Sequence, residues 1–251
     1  MCPHASEVVK ELQDAGFEAF IVGGSVRDLI LGKAPKDFDV ATSATPEEVQ
    51  DVFPRCRLIG RRFRLAHVRK SGALIEVATF RGASTADTDD RDHAHANGRI
   101  LRDNVYGEIH DDVWRRDFTC NALYYNIADF SIIDYTGGVE DIQKGELRLL
   151  GDPEQRYRED PVRMLRAVRF SAKLGFRITQ ETLSPVAELA DLLGIGRVAA
   201  RTGHGQVAFA GQSRDAARQH VAIGGGTRNG VFITCSAIPK NFWNRGKRKW
   251  N

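Results

Sequence analysis

The stretch FEAFIVGGSVRDLILG, residues 17–32, constrains the fold more than any other part of the chain. Its apolar run reads as a buried strand, and the strand stops at two adjacent glycines, Gly23 and Gly24. Paired glycines at a strand end let the backbone turn tightly and let its N–H groups approach a phosphate closely. SVRDLILG then reads as a short helix closed by Gly32, and KDFDVAT alternates like a returning strand. A strand, a glycine turn, a helix and a second strand specify a mixed α/β layer with a ligand-sized turn at its rim.

The returning strand carries Asp37 and Asp39. On extended backbone, residues two apart share a face, about 6.6 Å from each other. Two carboxylates so placed repel unless a cation joins them, and magnesium takes one or two carboxylates together with substrate phosphates. The same residues also read as a solvated turn after Pro35-Lys36. The glycine pair favours the metal reading, because Asp37 lies thirteen positions after Gly24, enough for a short helix and a return. A phosphate cradle and a metal site then become neighbours. Arg27, one helical turn past the glycines, adds a charge-assisted phosphate contact.

Two further carboxylates are candidates for the same site. Glu76 interrupts the apolar strand LIEVATF, where an unpaired charge is costly; pairing with Arg81 is its structural alternative. Asp117 follows Arg115-Arg116 in WRRDFTCNAL, and its structural alternative is to cap a helix beginning at Phe118. Arg116 is placed to clamp a triphosphate.

Elsewhere the pattern predicts helices over 6–15, 44–53 (Thr45 as N-cap, Pro46 at the first position), 159–175 and 181–193. Paired strands are expected at 64–70 and 73–81, an amphipathic segment at 117–127 and another strand at 130–138. Residues 82–100 are polar and patternless and read as a surface loop. In EDPVRMLRAVRF, Asp160 reads as an N-cap with Pro161 behind it. Arg163, Arg166 and Arg169 recur every third residue, opposite Val162, Leu165, Val168 and Phe170. Such a stripe is either a solvated face or, beside a triphosphate, a row of planar donor forks for phosphate or base edges. Glu159 and Asp160 are suited to hydrogen-bond a nucleobase edge.

Charge divides the chain. Residues 1–193 hold 26 basic and 32 acidic side chains, whereas 194–251 hold 10 basic ones against Asp215 alone. The last stretch also has 10 of the 24 glycines and no sustained helical period. No apolar run approaches the ~18 residues of a membrane span, and MCPHASEVVKEL has no apolar signal core. Cys2, Cys56, Cys120 and Cys235 show no CxxC spacing. That argues against a disulfide framework or zinc site and fits a reducing cytoplasm.

With these segments assembled, the chain resembles the class II nucleotidyltransferase superfamily of bacterial poly(A) polymerases and CCA-adding tRNA enzymes. The resemblance runs from about residue 17 to 193. GGSVRDLILGKAPKDFDVAT matches the phosphate-and-metal motif, RRDFTCNALYYN with DYTGGVEDI the next block, and RYREDPVRMLRAVRFSAKLGFRI the nucleotide-selecting helix. Ser25 stands where glycine or alanine is usual. The resemblance implies an α+β fold: a nucleotidyltransferase head with a mixed sheet and flanking helices over 1–150, the start of a helical neck over 151–193, and an irregular tail over 194–251. It implies that Asp37 and Asp39 hold divalent ions, magnesium or alternatively manganese, with Glu76 or Asp117 as a further catalytic carboxylate. Gly23, Gly24 and Arg27 would meet the triphosphate. Arg116, Glu159, Asp160, Arg163, Arg166 and Arg169 would contact the incoming nucleotide.

LIGRRFRLAHV resembles a segment of the poly(A) polymerase branch, which makes Arg61, Arg62 and Arg64 candidate RNA contacts. The implied activity is addition of AMP from ATP to RNA 3′ ends, with CCA addition as the alternative within the family. A different class of reading is an inactive nucleotide- or RNA-binding fragment, because the match stops near Leu193 where family members continue into RNA-gripping helices. A shifted reading frame in the gene accounts for so abrupt a change; a divergent natural tail is the alternative. On the frameshift reading the basic tail is no evolved RNA-binding module.

Overall fold

A computed structural model describes residues 2–60, 64–82, 93–96, 99–103, 105–193, 198–201, 206–211 and 219–224. Two compact units divide the chain, Met1–Lys144 and Gly145–Asn251.

In the first unit α1 (Pro3–Asp14) starts with proline in its first turn and buries Ala5, Val8, Val9 and Leu12. β1 (Ala19–Val22) is buried along its whole length, and α2 (Gly24–Ile30) follows after Gly23 alone. The chain returns in β2 (Asp39–Thr42) and α3 (Pro46–Val52). The start of α3 is as expected: Thr45 and Glu48 form a reciprocal capping box, with Pro46 at the first position. β3 (Cys56–Ile59), β4 (Leu65–Lys70) and β5 (Ala73–Thr79) come next. Backbone pairing then joins β6 (His93–Ala96) to β7 (Arg99–Asp103), so part of the expected loop at 82–100 is a hairpin. α4 (Ile109–Arg115) leads to a single 3-10 turn at Thr119–Asn121, then β8 (Tyr124–Tyr125), β9 (Ile132–Ile133) and α5 (Gly138–Lys144).

Seven strands make one mixed sheet in the order β3-β4-β5-β2-β1-β8-β9. Only β2 and β5 pair in parallel within it; its other neighbours are antiparallel. α1 packs against β1, β2 and β5. Phe20, Phe80 and Tyr124 add an aromatic cluster to the core, with ring centroids 6.2–6.5 Å apart. This is the expected α+β head. The amphipathic segment at 117–127 differs from a helix. After one 3-10 turn, Tyr124 and Tyr125 pair with Val22 and Ile21, because the free edge of β1 takes that backbone into the sheet. Gly138 permits this packing: a Cβ there would lie 2.3 Å from the Thr119 carbonyl oxygen.

The second unit begins with β10 (Glu146–Leu147), then α6 (Pro153–Glu159), α7 (Val162–Leu174), β11 (Arg177–Ile178), α8 (Gln180–Leu183) and α9 (Val186–Leu189). β10 and β11 pair in parallel. The helix expected over 159–175 is two helices. Asp152 caps α6 by accepting the Gln155 N–H at 2.8 Å, with Pro153 behind it, and α6 ends at Glu159. Asp160 is therefore the C-cap of α6 rather than the N-cap of α7; Pro161 takes that place. Gly175, in the left-handed conformation at φ 77°, ends α7 as expected. Met164 and Ala167 are its buried residues, while Val162 is 41% exposed and Leu165, Val168 and Phe170 are half-buried. The helix expected at 181–193 is broken at Ser184-Pro185 and ends in a 3-10 turn, Ala190–Leu193. In the tail expected to be irregular, β12 (Val198–Arg201), β13 (Gln206–Gly211) and β14 (Gln219–Gly224) pair as an antiparallel sheet.

Candidate active site

Register across the sheet assembles the charged groups. Asp39 on β2 is directly paired with Glu76 on β5, Glu76 with His67 on β4, and His67 with Arg57 on β3. Directly paired residues share a face, so four polar side chains form a row across four strands. His67 Nε2 lies 3.3 Å from Glu76 Oε1. The distance suits an ion pair, but the geometry falls short of a hydrogen bond, and His67 Nε2 has no such partner. Histidine, not Arg81, is thus the partner of Glu76. Asp37 precedes β2 and is exposed, so the two aspartates do not both lie on the strand. They are electrostatic neighbours all the same. Burial pushes the Asp39 carboxyl up to about 6; Glu76 and Asp37 add to that rise, and Arg116 opposes it.

Gly23 sits at φ 77°, ψ −130°, a region that favours glycine strongly. Its N–H donates to the Leu123 carbonyl at 3.0 Å, which ties the turn to the segment entering β8. Ser25 is buried and its hydroxyl donates to the Val22 carbonyl at 3.2 Å. Arg27 is only 2% exposed. Its fork is held by Asp28, at 2.7 and 2.9 Å, and by Asn121. A Cβ on Gly24 would lie 3.3 Å from Arg27 Nη2, so the guanidinium packs beneath the turn. Arg27 thus lies against the underside of the turn that its sequence position ties to a triphosphate.

Arg116, the C-cap of α4, is held on two sides. Nε donates to the Tyr124 hydroxyl at 2.8 Å and Nη2 to Asp112 Oδ2 at 2.8 Å. Tyr124 donates to the same Asp112 oxygen at 2.5 Å. Burial alone would lower the Arg116 pKa, but Asp112 and Tyr124 outweigh it and hold the guanidinium above its ordinary value. Asp117 accepts from the Phe118 N–H at 2.8 Å and from Asn121 at 3.2 Å. It therefore organises the 3-10 turn rather than capping an α-helix. Arg64, exposed, pairs with Glu47. Arg61 and Arg62 lie outside the described residues.

Glu159 links two arginines within the second unit. Its Oε2 accepts from Arg156 Nη1 at 2.8 Å and Arg163 Nη1 at 3.0 Å, and Arg163 Nη1 also donates to the Arg156 carbonyl at 2.7 Å. Asp160 Oδ1 accepts from the Val162 N–H at 3.3 Å. Arg166 lies over the Phe170 ring, 5.7 Å from its centroid, and Arg169 is exposed.

Sequence reasoning missed Asp112, Tyr124, His67 and Arg156. For Asp112 and Arg156 there was a signal, each lying on a helix four and three residues from a candidate. For His67 and Tyr124 the signal is strand register, which local pattern does not carry. Among the described residues, no three His, Cys, Asp or Glu side chains gather closely enough to hold a metal by themselves. The donor set nonetheless fits a hard divalent cation. Asp39 is half-buried beside two more carboxylates, and such an ion completes its shell with phosphate and water oxygens.

Residues 19–148 match the family model for the Poly A polymerase head domain. Poly(A) polymerase I of Escherichia coli O6:H1 is 58% identical over 192 residues, 76% of this chain and 41% of that protein. A CCA-adding enzyme of Leuconostoc mesenteroides is 43% identical over 186 residues, 74% of this chain and 44% of that one. The crystal structure of the Bacillus stearothermophilus CCA-adding enzyme in complex with CTP superposes with a TM-score of 0.66 at 35% identity, covering 77% of this chain and 45% of that one. The chain thus spans less than half the length of these relatives, in keeping with a likeness that ends near Leu193. On these matches the chain belongs to the nucleotidyltransferase family of poly(A) polymerases and CCA-adding enzymes.

Proposed function

We propose that this chain carries the catalytic head, 1–150, and the nucleotide-selecting neck, 151–193, of an enzyme that adds AMP from ATP to RNA 3′ ends. The observation that carries the reading is the pairing of Asp39 with Glu76 beside Asp37 and Arg116, in a chain 58% identical to a poly(A) polymerase over its matched length.

Asp37 and Asp39 would hold the divalent ions, magnesium or manganese, with Glu76 as the third carboxylate and Asp117 shaping the turn behind them. Bound there, such ions would lower the pKa of an RNA 3′-hydroxyl and neutralise charge on the triphosphate. The remaining work falls to the chain. The Gly23-Gly24 turn, with Arg27, would meet the triphosphate. Arg116 supplies a fixed positive charge, and its planar fork suits phosphate oxygens. Glu159, Asp160 and Arg163 present donors and acceptors to a base edge, with Arg166 and Arg169 as further cations. Arg64, with Arg61 and Arg62, would contact RNA phosphates.

CCA addition is the second reading, favoured by the likeness to an enzyme bound to CTP. Primer extension with RNA, a nucleoside triphosphate and magnesium separates the two. Long labelled adenylate tails support the first reading, and CTP incorporation onto tRNA supports the second. Neither product from a folded sample makes the chain an inactive fragment.

A further inference from the structure

Two buried side chains of the head, Tyr124 and Asp112, meet around Arg116. Tyr124 is fully buried and Asp112 is 7% exposed. Asp112 Oδ2 accepts from both Arg116 Nη2 and the Tyr124 hydroxyl, while its Oδ1 accepts from the Arg81 N–H at 3.3 Å. The Tyr124 hydroxyl in turn accepts from Arg116 Nε. Three groups close a ring of hydrogen bonds, and the core fixes the ring in place. Phe20 and Phe80 meet the Tyr124 ring edge-on at 6.2 and 6.5 Å, and Tyr124 pairs with Val22, the residue before the glycine turn. The Arg116 carbon at the centre of the fork lies 4.9 Å from the Tyr124 ring centroid. Arg116 Nη1 lies on the side of Gly23, 3.6 Å from where a Cβ on that residue would stand.

We infer that Asp112 and Tyr124 are positioning residues that aim Arg116 at the triphosphate beside Gly23. An unrestrained arginine has several rotatable bonds and loses rotamer entropy on binding; one held at Nε and Nη2 has lost it before the ligand arrives. A carboxylate this close to an arginine usually marks neutralisation of charge. Here the same oxygen is shared with a phenol, which divides its acceptor capacity and leaves the guanidinium positive toward the turn. The inference rests on the reading above, in which Arg116 meets the phosphates of the incoming nucleotide.

Calorimetric titration of the full chain with ATP and with AMP, each in magnesium, tests it. Tyr124→Phe deletes one hydroxyl and keeps the ring in the core. It is expected to weaken ATP binding about tenfold, the size of one hydrogen bond to a charged group. It should leave AMP binding unchanged and add nothing once Arg116→Ala is present, because the hydroxyl then has no arginine to aim. Asp112→Asn is the second variant, with the same expectation, should Tyr124→Phe unfold. A loss that adds fully to that of Arg116→Ala marks a merely structural role and overturns the inference. So does ATP binding by Tyr124→Phe equal to that of the unaltered chain while Arg116→Ala is weakened, and this outcome leaves the proposed function standing. If Arg116→Ala binds ATP as the unaltered chain does, or the unaltered chain binds none, the placement of Arg116 on the phosphates fails and takes the inference with it.

Discussion

Asp39 and Glu76 stand side by side on parallel strands, two acids in direct register. Burial and this neighbour hold the Asp39 proton to about pH 6, against an ordinary value near 3.8. In the metal-free chain the folded state therefore binds this proton more tightly than the unfolded state does. Stability falls with pH wherever the folded state carries more protons. The contribution of Asp39 is fully present below about pH 4 and is lost as pH rises through about 6. Asp39→Asn removes the charge without changing size. It is expected to match the unaltered chain at pH 4 and to melt a few degrees higher at pH 7.5, on the order of 1–2 kcal/mol for a partly exposed group. Thermal melts without metal check this; a variant that melts lower at pH 7.5 contradicts the repulsion. The same variant should lose all nucleotidyl transfer.

Gly23 lies in a backbone region that costs an L-residue about 1–3 kcal/mol, and its neighbours leave 3.6 Å around a Cβ position. Strain rather than collision is the expected defect. Gly23→Ala should lower the melting temperature by several degrees and weaken ATP binding, since the turn must relax and Arg116 and Leu123 both abut it. Gly138→Ala faces a carbonyl oxygen at 2.3 Å and should be the worse folded of the two. Denaturant titration ranks them, and the reverse order contradicts the account.

Much of this was legible in the sequence, and the limit has a physical form. The β1–glycine–α2–β2 unit, the Thr45 cap of α3 and the Gly175 stop of α7 are set by residues within a few positions of one another, so local chemistry foretells them. Asp152-Pro153 carried the same signal as Asp160-Pro161, yet only one Asp-Pro could open the long helix; the actual break puts Asp160 at the end of α6. What local pattern lacks is register. Arg57, His67, Glu76 and Asp39 are scattered over the chain and meet because four strands align. Arg27 illustrates the converse. An arginine one turn past a glycine pair reads as a phosphate ligand, but its contact with Asn121 could not be read locally, because Asn121 arrives from a turn expected to be helical.

Thiol chemistry reports on the packing of the 3-10 turn. Cys120 is buried, and burial first, with Asp117 and Asp141 adding, pushes its thiol up to about 12 against the opposing pull of Arg27. Thiolate is the reactive form. Cys120 should resist alkylation at pH 8 in the folded chain. Cys56, whose thiol burial also raises, is half-buried and should react at an intermediate rate, behind Cys2. Mass spectrometry of timed iodoacetamide reactions gives the order. Labelling of Cys120 ahead of Cys56 contradicts a closed turn.

Base selection is expected to depend on Glu159 through Arg163. One carboxylate oxygen accepts from two arginines, so Arg163 Nη1 is fixed between Glu159 Oε2 and the Arg156 carbonyl. A guanidinium held this way offers its remaining donors in one plane, and a fixed plane distinguishes one base edge from another where a mobile one does not. Glu159→Gln keeps the length of the side chain but removes the charge and turns one acceptor into a donor that faces two cations. The fork of Arg163 then keeps only its bond to the Arg156 carbonyl and is held less firmly. Expected is a fall of about tenfold in preference for ATP over CTP, with thermal stability within a few degrees, because the pairs lie at a partly exposed surface. Competition between the two nucleotides for the full chain measures the ratio. A variant that binds both more weakly by one common factor shows Glu159 to be a general support of the helix junction, whereas a changed ratio places it in the choice of base.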